Sequence, residues 1–236
     1  MINNKKILAV ILARKNSAGL PGKNYRPLLG LPCFLWSVKA AVQSKYIDLV
    51  AVSSYCPHVR DAWAKTYNKA IYLQRPEELN GPLVKNEDVL KYSVKECQER
   101  HGFCADLIIT LQPTSPIRTN NLIDRCLEKM EEEQADSLLT VTEHYPFVWK
   151  DKKNGAECPN MYYLNRPMRQ QMKKEDLYFI DNGNVYITKK NILMKENNRL
   201  GGKVSIYKIN KYQSFQIDTL QDFEIIEKIG QVHGLV

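Results

Sequence analysis

Ile7-Leu8-Ala9-Val10-Ile11-Leu12-Ala13 is an unbroken apolar run, and Arg14-Lys15-Asn16-Ser17-Ala18-Gly19-Leu20-Pro21-Gly22-Lys23-Asn24 follows it directly. A short run with no polar alternation predicts a strand buried on both faces of a parallel sheet. Lys5-Lys6 gives the run a faint likeness to a secretion signal. Arg14-Lys15 stands where small cleavage-site residues belong, so the reading is a first strand. The following segment is loop chemistry, with two glycines, a serine, two asparagines and three cations. Such a loop can turn its backbone N–H groups onto phosphate oxygens while its cations neutralise them. It is not a Walker A loop, because Gly22-Lys23 lacks the earlier glycine at the required spacing and Asn24 replaces Ser or Thr.

Strand and helix patterns alternate outward from this stretch. Strands are predicted over 7–13, 48–53, 70–73, 106–112 and 137–143, and helices over 32–44, 57–68, 86–100 and 119–134. Alternation of this kind predicts an α/β fold with a mainly parallel, doubly wound, Rossmann-like sheet. Ligands of such sheets bind beyond the carboxyl ends of the strands, so the loops after Ala13, Ser53 and Gln112 are the places to look. The pattern breaks over 144–180, which is rich in Tyr, Pro, Arg, Lys and Met and reads as an inserted arm or lid within a single domain of 1–236. Order returns with strands expected over 184–188, 203–209 and 214–218, and a helix over 220–229.

The chain has 236 residues, 34 basic and 26 acidic, for a net charge of +8, with 44% hydrophobic content. That excludes collagen, low-complexity disorder and a disulfide-stapled mini-domain, and it suits an anionic ligand. No apolar run approaches the ~20 residues of a membrane-spanning helix. The six cysteines form no C-x-x-C pair, which argues against a metal or disulfide framework and for a reducing cytoplasm. The basic residues are dispersed among acids with no aromatic-basic platform, so nucleic acid is not an expected partner. The four histidines are scattered singly and read as surface or core residues.

Five segments in order resemble the signatures of CMP-sialic acid synthetases (N-acylneuraminate cytidylyltransferases, with their legionaminic and pseudaminic acid relatives). These are residues 7–24, Gln74-Arg75-Pro76-Glu77-Glu78-Leu79, Leu111-Gln112-Pro113-Thr114-Ser115-Pro116-Ile117-Arg118, Asn182-Gly183-Asn184-Val185-Tyr186-Ile187, and Ile217-Asp218-Thr219 with Asp222. The resemblance implies an enzyme that joins CTP to a nonulosonic acid, releasing pyrophosphate, with Mg²⁺ as cofactor and a homodimer as the assembly. It implies Arg14, Lys23 and Asp218 as catalytic residues and Arg14, Ser17, Asn24, Arg75 and Gln112 around the nucleotide. Gln112 and Arg169 would face the sugar, Arg169 pairing with the sugar's carboxylate, and Asp218 would hold the metal. Asp222 is expected to be a first-turn helix acid instead of a ligand.

Three departures stand out. Ser17-Ala18-Gly19 lacks the lysine of the family's Ser-Lys-Gly triplet, for which Lys15 is the nearest substitute. Gln216-Ile217-Asp218 stands where Asp-Ile-Asp is usual, which removes one formal charge from a hard-cation site. Phe179-Ile180-Asp181 occupies the place of an arginine near the sugar. The alternatives are therefore a cytidylyltransferase for another acidic acceptor, such as a 3-deoxy-octulosonate or a phosphonate, and a nucleotide-binding homologue with impaired catalysis. A glycosyltransferase is disfavoured because the chain has no Asp-x-Asp motif.

Overall fold

The computed structural model describes the chain except residues 1, 3, 16–18, 64–68, 145–146, 160–162, 166–167, 174–176 and 234–236, with backbone alone at 163 and 169. The strands are β1 (Ile7–Leu12), β2 (Pro27–Leu28), β3 (Leu31–Pro32), β4 (Leu49–Ser54), β5 (Ala70–Gln74), β6 (Leu107–Leu111), β7 (Ser137–His144), β8 (Lys150–Lys152), β9 (Gly155–Glu157), β10 (Tyr178–Lys189) and β11 (Val204–Lys208). The α-helices are α1 (Cys33–Gln43), α2 (Pro57–Trp63), α3 (Asn86–His101), α4 (Leu122–Glu132), α5 (Lys190–Glu196) and α6 (Leu220–His233).

A seven-stranded sheet runs in the order β11-β7-β10-β6-β1-β4-β5. Every strand is parallel to β1 except β10, which lies antiparallel between β6 and β7. The strand β1 is buried along almost its whole length, and its alternate residues feed two cores. Ile7, Ala9 and Ile11 pack with Phe34 and Val38 of α1 and with Cys126 and Leu127 of α4. Leu8 and Val10 pack with Leu90, Val94 and Cys97 of α3 and with Leu193 of α5. This division explains the absence of polar alternation in residues 7–13, since neither face of the strand meets water. Each fully buried Ile, Leu or Val contributes ~1.5–3 kcal/mol of hydrophobic stabilisation.

The chain leaves β1 towards β4 on one side and returns to β6 on the other, so the crossover direction reverses between β1 and β6. That reversal opens a crevice at the carboxyl ends of these two strands.

Three expectations need correction. Residues 214–218 do not form a strand: a 3₁₀ turn at Lys211–Ser214 leads into an irregular segment before α6. A ladder does not form because the Ile217 N–H bonds the Thr114 carbonyl at a loop, at 2.8 Å, and the Asp222 carboxylate takes the Asp218 N–H. The strand expected to begin at 184 begins at Tyr178, and the register shifts between Asp181 and Tyr186. The helix α5 was not expected. The helix predicted over 57–68 is present to Trp63, and its remainder lies outside the described residues. Within 144–180 the exposed strands β8 and β9 form a hairpin.

Candidate active site

The end of β1 is held from two directions. The Ala13 N–H bonds the Ser53 carbonyl at 3.1 Å, and the Ser54 hydroxyl donates to the Ala13 carbonyl at 2.6 Å. Ten residues on, the Asn24 side-chain amide donates to the Arg14 carbonyl at 2.7 Å. Asn24 is buried, and this bond closes the loop that follows β1.

The same loop is fastened to the segment before α6. The Lys23 ammonium donates to the Ile217 carbonyl at 2.6 Å and to Asp218 Oδ1 at 2.7 Å. Its side chain is 8% exposed, whereas that of Asp218 is 71% exposed. At Gly19 a β-carbon would stand 2.2 Å from the Asp218 carbonyl oxygen, so only glycine permits this approach. The Ile217 N–H on the Thr114 carbonyl ties the segment to the loop after β6. Three stretches distant in sequence thus converge on Asp218.

Asp222 is a helix cap. Its Oδ2 accepts from the Asp218 N–H at 3.1 Å, the Thr219 N–H at 2.8 Å and the Thr219 hydroxyl at 2.8 Å, and its own N–H bonds that hydroxyl. Burial pushes its carboxyl pKa up, but these hydrogen bonds and the Lys23 charge together hold it below the ordinary value. The Thr219-x-x-Asp222 spacing is that of a capping box, in which hydroxyl and carboxylate exchange bonds with N–H groups.

The converging loops enclose a cavity of about 400 Å³. Arg14, Lys23, Arg75 and Lys85 line it, against a single acid, Asp218. Arg75 is almost fully buried, with Nη2 on the Ser53 carbonyl at 2.8 Å and Nε near the Ser53 hydroxyl at 3.4 Å. Burial, and secondarily the positive charge of Arg14, lowers its pKa from 12.5 to about 10. Two guanidinium groups repelling each other in a cavity create a site that an anion relieves. Lys85, the N-cap of α3, and Asn86 also line the cavity, and no side chain caps the first N–H groups of that helix. Free N–H groups and the positive end of the helix dipole favour anions. Lys85 carries no motif; its position just before a strong helical pattern was the available signal.

A second network shapes the floor. Arg118 is buried without a carboxylate partner among the described residues. It donates to the Ser37 hydroxyl at 2.9 Å, the Gln112 carbonyl at 3.1 Å and the Asn184 carbonyl at 2.8 Å. Burial lowers its pKa to about 9. It joins α1, the end of β6 and β10, and sequence reasoning assigned it no role. The Gln112 side chain lines the cavity, with its Oε1 near the Thr114 hydroxyl at 3.4 Å. Below it, the Cys33 thiol donates to the Pro113 carbonyl at 3.1 Å, and burial pushes its pKa up to about 12.

Gln216 uses its amide as a donor. Nε2 bonds the Asn182 carbonyl at 2.6 Å, within the irregular stretch of β10 where Gly183 has φ +67°. An aspartate here would turn a carboxylate towards a carbonyl oxygen. Gln216 therefore links β10 to the Asp218 segment. Asp181, in the place of the expected arginine, is likewise engaged: its carboxylate accepts from the Tyr186 hydroxyl at 2.7 and 2.8 Å and from the Gly183 N–H at 3.0 Å.

The structure brings together Arg14, Lys23, Asn24, Arg75, Gln112 and Asp218. Ser17 and the Arg169 side chain lie outside the described residues. Among the described residues, no three His, Cys, Asp or Glu side chains cluster as a metal site, and no helix is long and apolar enough to cross a membrane. A hard cation held mostly by ligand phosphates needs only one or two protein carboxylates, and exposed Asp218 fits that donor set.

Residues 8–236 match the sequence model of a family described as cytidylyltransferase. The chain belongs to the cytidylyltransferase family. It is 28% identical to N-acylneuraminate cytidylyltransferase A of Danio rerio over 232 residues, covering 95% of this chain and 51% of that protein. It is 25% identical to the N-acylneuraminate cytidylyltransferase of Streptococcus agalactiae over 231 residues, covering 96% of this chain and 53% of the relative. The chain thus spans about half the length of these curated relatives. Among solved structures, CMP:2-keto-3-deoxy-manno-octonic acid synthetase complexed with CTP is similar, with TM-score 0.68, 18% identity and coverage of 97% of this chain and 99% of that one. The 4-diphosphocytidyl-2C-methyl-D-erythritol synthase of Anaerococcus prevotii gives TM-score 0.68 at 14% identity, covering 98% of both chains. These two solved structures share the fold of this chain.

Proposed function

We propose that this cytidylyltransferase-family protein transfers the cytidylyl group of CTP to a nonulosonic acid and releases pyrophosphate. The observation that carries the reading is the cavity at the β1–β6 crevice, where four cations face one exposed carboxylate. The relatives named N-acylneuraminate cytidylyltransferases point to the acceptor.

In this reaction the anomeric hydroxyl attacks the α-phosphorus. A sugar O–P bond forms, the bond from that phosphorus to the β-phosphate bridging oxygen breaks, and the hydroxyl proton passes to solvent. Arg14, Arg75 and Lys85 neutralise the triphosphate, and the α3 N–H groups donate to its oxygens. Lys23 exchanges Asp218 for phosphate charge as it develops, which a compact ammonium suits. Asn24 and Ser17 shape the loop, Gln112 reaches base or sugar, and Arg169 faces the acid. Asp218 would hold Mg²⁺, which offsets negative charge on the phosphates. The residue 144–180 arm with its β8–β9 hairpin would reach a second copy of the chain, making a homodimer. Six free thiols suit a reducing cytoplasm.

The test is pyrophosphate release from CTP and Mg²⁺ with a panel of nonulosonic and octulosonic acids, each other NTP serving as control. Release with CTP and a nonulosonic acid is expected. Turnover of a 3-deoxy-octulosonate alone would move the assignment to that acceptor. CTP binding without release from any acid would refute the transfer reaction.

A further inference from the structure

Glu87 lies in the first turn of α3, directly after Lys85 and Asn86, which line the anion cavity. A carboxylate in that turn repels the same anion that the free N–H groups attract. Arg199 answers it. Its Nη1 stands 3.4 Å from Glu87 Oε1, and the two side chains are only 21% and 16% exposed, so solvent ions screen the pair little. The neighbouring acid of the turn, Asp88, faces Lys91 at 3.8 Å in a more exposed pair. The Arg199 guanidinium also lies over the Tyr186 ring, 4.4 Å from its centroid, where the ring quadrupole holds a cation. The Tyr186 hydroxyl in turn donates to the Asp181 carboxylate at 2.7 and 2.8 Å, and that carboxylate accepts from the Gly183 N–H. The backbone under Arg199 is fixed as well. The Thr188 hydroxyl donates to the Arg199 carbonyl, and two residues on, the Gly201 N–H and carbonyl both bond the Ser137 hydroxyl, at 3.0 and 2.9 Å.

We propose that Arg199 is a positioning residue for the nucleotide: paired with Glu87, it cancels the acid that the first turn of α3 otherwise sets against the phosphates. The inference rests on the nucleotide reading of the anion cavity given above. Arg199 does not line that cavity, so it acts through Glu87. Held between Glu87 and Tyr186, it also ties the first turn of α3 to the bend of β10, which Gln216 joins to the Asp218 segment. Removing the cation alone leaves Glu87 as an unanswered charge beside the site. Removing the acid alone leaves a spare positive charge there, and removing both restores the balance. The effect on anion binding is therefore opposite in sign for the two members of the pair, which loss of packing cannot imitate.

Equilibrium binding of CTP with Mg²⁺, followed by isothermal titration calorimetry, tests the assignment. Arg199→Met keeps an unbranched side chain and removes its charge. It should bind CTP about two- to fivefold more weakly than the wild type, the scale of one charge at a helix terminus. Glu87→Gln, which leaves Arg199 untouched, should bind CTP more tightly than the wild type. The double variant Glu87→Gln/Arg199→Met should return to near wild-type affinity, and Arg199→Lys should recover most of what Arg199→Met loses. In turnover, KM for CTP should follow these affinities while kcat changes little. A double variant as weak as Arg199→Met, a Glu87→Gln variant weaker than the wild type, or wild-type affinity in Arg199→Met would overturn the assignment. So would a loss in Arg199→Lys equal to that in Arg199→Met. The predicted pattern of CTP affinities without pyrophosphate release from any acid would leave Arg199 in its role and refute the transfer reaction. Release from CTP whose binding ignores Arg199 would do the reverse, and no CTP binding by the wild type would overturn both.

Discussion

Gly19 sets the separation between the loop after β1 and Asp218, and Gly19→Ala measures what that separation is worth. The added methyl carbon would lie 2.2 Å from the Asp218 carbonyl oxygen, and ordinary contact begins near 3.4 Å. The obstacle is backbone, so no side-chain rotation clears it; the loop and the 217–218 segment must part by about 1.2 Å. The Lys23 bonds to Ile217 and Asp218 span the same gap at 2.6 and 2.7 Å, so they lengthen or break. Overpacking of this kind costs ~1–3 kcal/mol of stability. Misplacing a catalytic group by ~1 Å costs on the order of 10²-fold in rate. The assay is CTP-dependent pyrophosphate release beside a thermal unfolding curve. The variant should remain folded, with kcat reduced about a hundredfold and the midpoint lowered by a few degrees. Near wild-type kcat would refute the reasoning, because it would mean that the loop and Asp218 need not be in register.

Further outcomes follow from individual contacts. Lys23→Ala should lower kcat/KM by roughly 10²–10³-fold, the scale of losing one preorganised charge donor, and should lower stability by ~1–3 kcal/mol because the buried Ile217 carbonyl loses its donor; equal kinetics would remove Lys23 from the site. Pyrophosphate at a hundred times its Kd should stabilise the fold by ~2.7 kcal/mol, a rise of roughly 5–11 °C for a chain of this size, and no shift in differential scanning fluorimetry would contradict an anion cavity. Because burial and Arg14 lower the Arg75 pKa to about 10, the cost of its charge in the folded state is full below that pH and relieved as pH rises from about 10 towards 12.5. Arg75→Met should therefore stabilise the nucleotide-free protein at pH 7 while weakening CTP, and a calorimetric loss of stability would show that the Ser53 bonds outweigh the repulsion. Gln216→Asp removes the donor to Asn182, so its metal-free unfolding midpoint should fall; an unchanged midpoint would show that this link carries no weight.

How far the site can be read in the sequence depends on whether a residue acts through its neighbours in the chain or through the fold. The 7–13 run carries its own explanation, since seven apolar residues in succession have to be covered on both sides. Asp222 is equally local: its partner is Thr219, three residues away, and the capping role follows from spacing. Gln216 is the opposite case. Read along the chain it is a missing carboxylate beside Asp218, with Phe215 and Ile217 suggesting strand alternation. In space its donor meets a carbonyl 34 residues away, in a stretch of β10 whose Asn182-Gly183-Asn184 bends the strand and hides its true start. Arg118 was obscure for a related reason: it is a buried cation answered by the Ser37 hydroxyl, the nearby Gln112 carbonyl and the Asn184 carbonyl of β10, which only the fold brings together. A substitution in a motif therefore cannot be scored as lost charge until the partner of the new atom is known. At position 216 the exchange of carboxylate for amide turns a candidate ligand into a strut, and Asp218 is left as the carboxylate to which the Lys23 loop is tied.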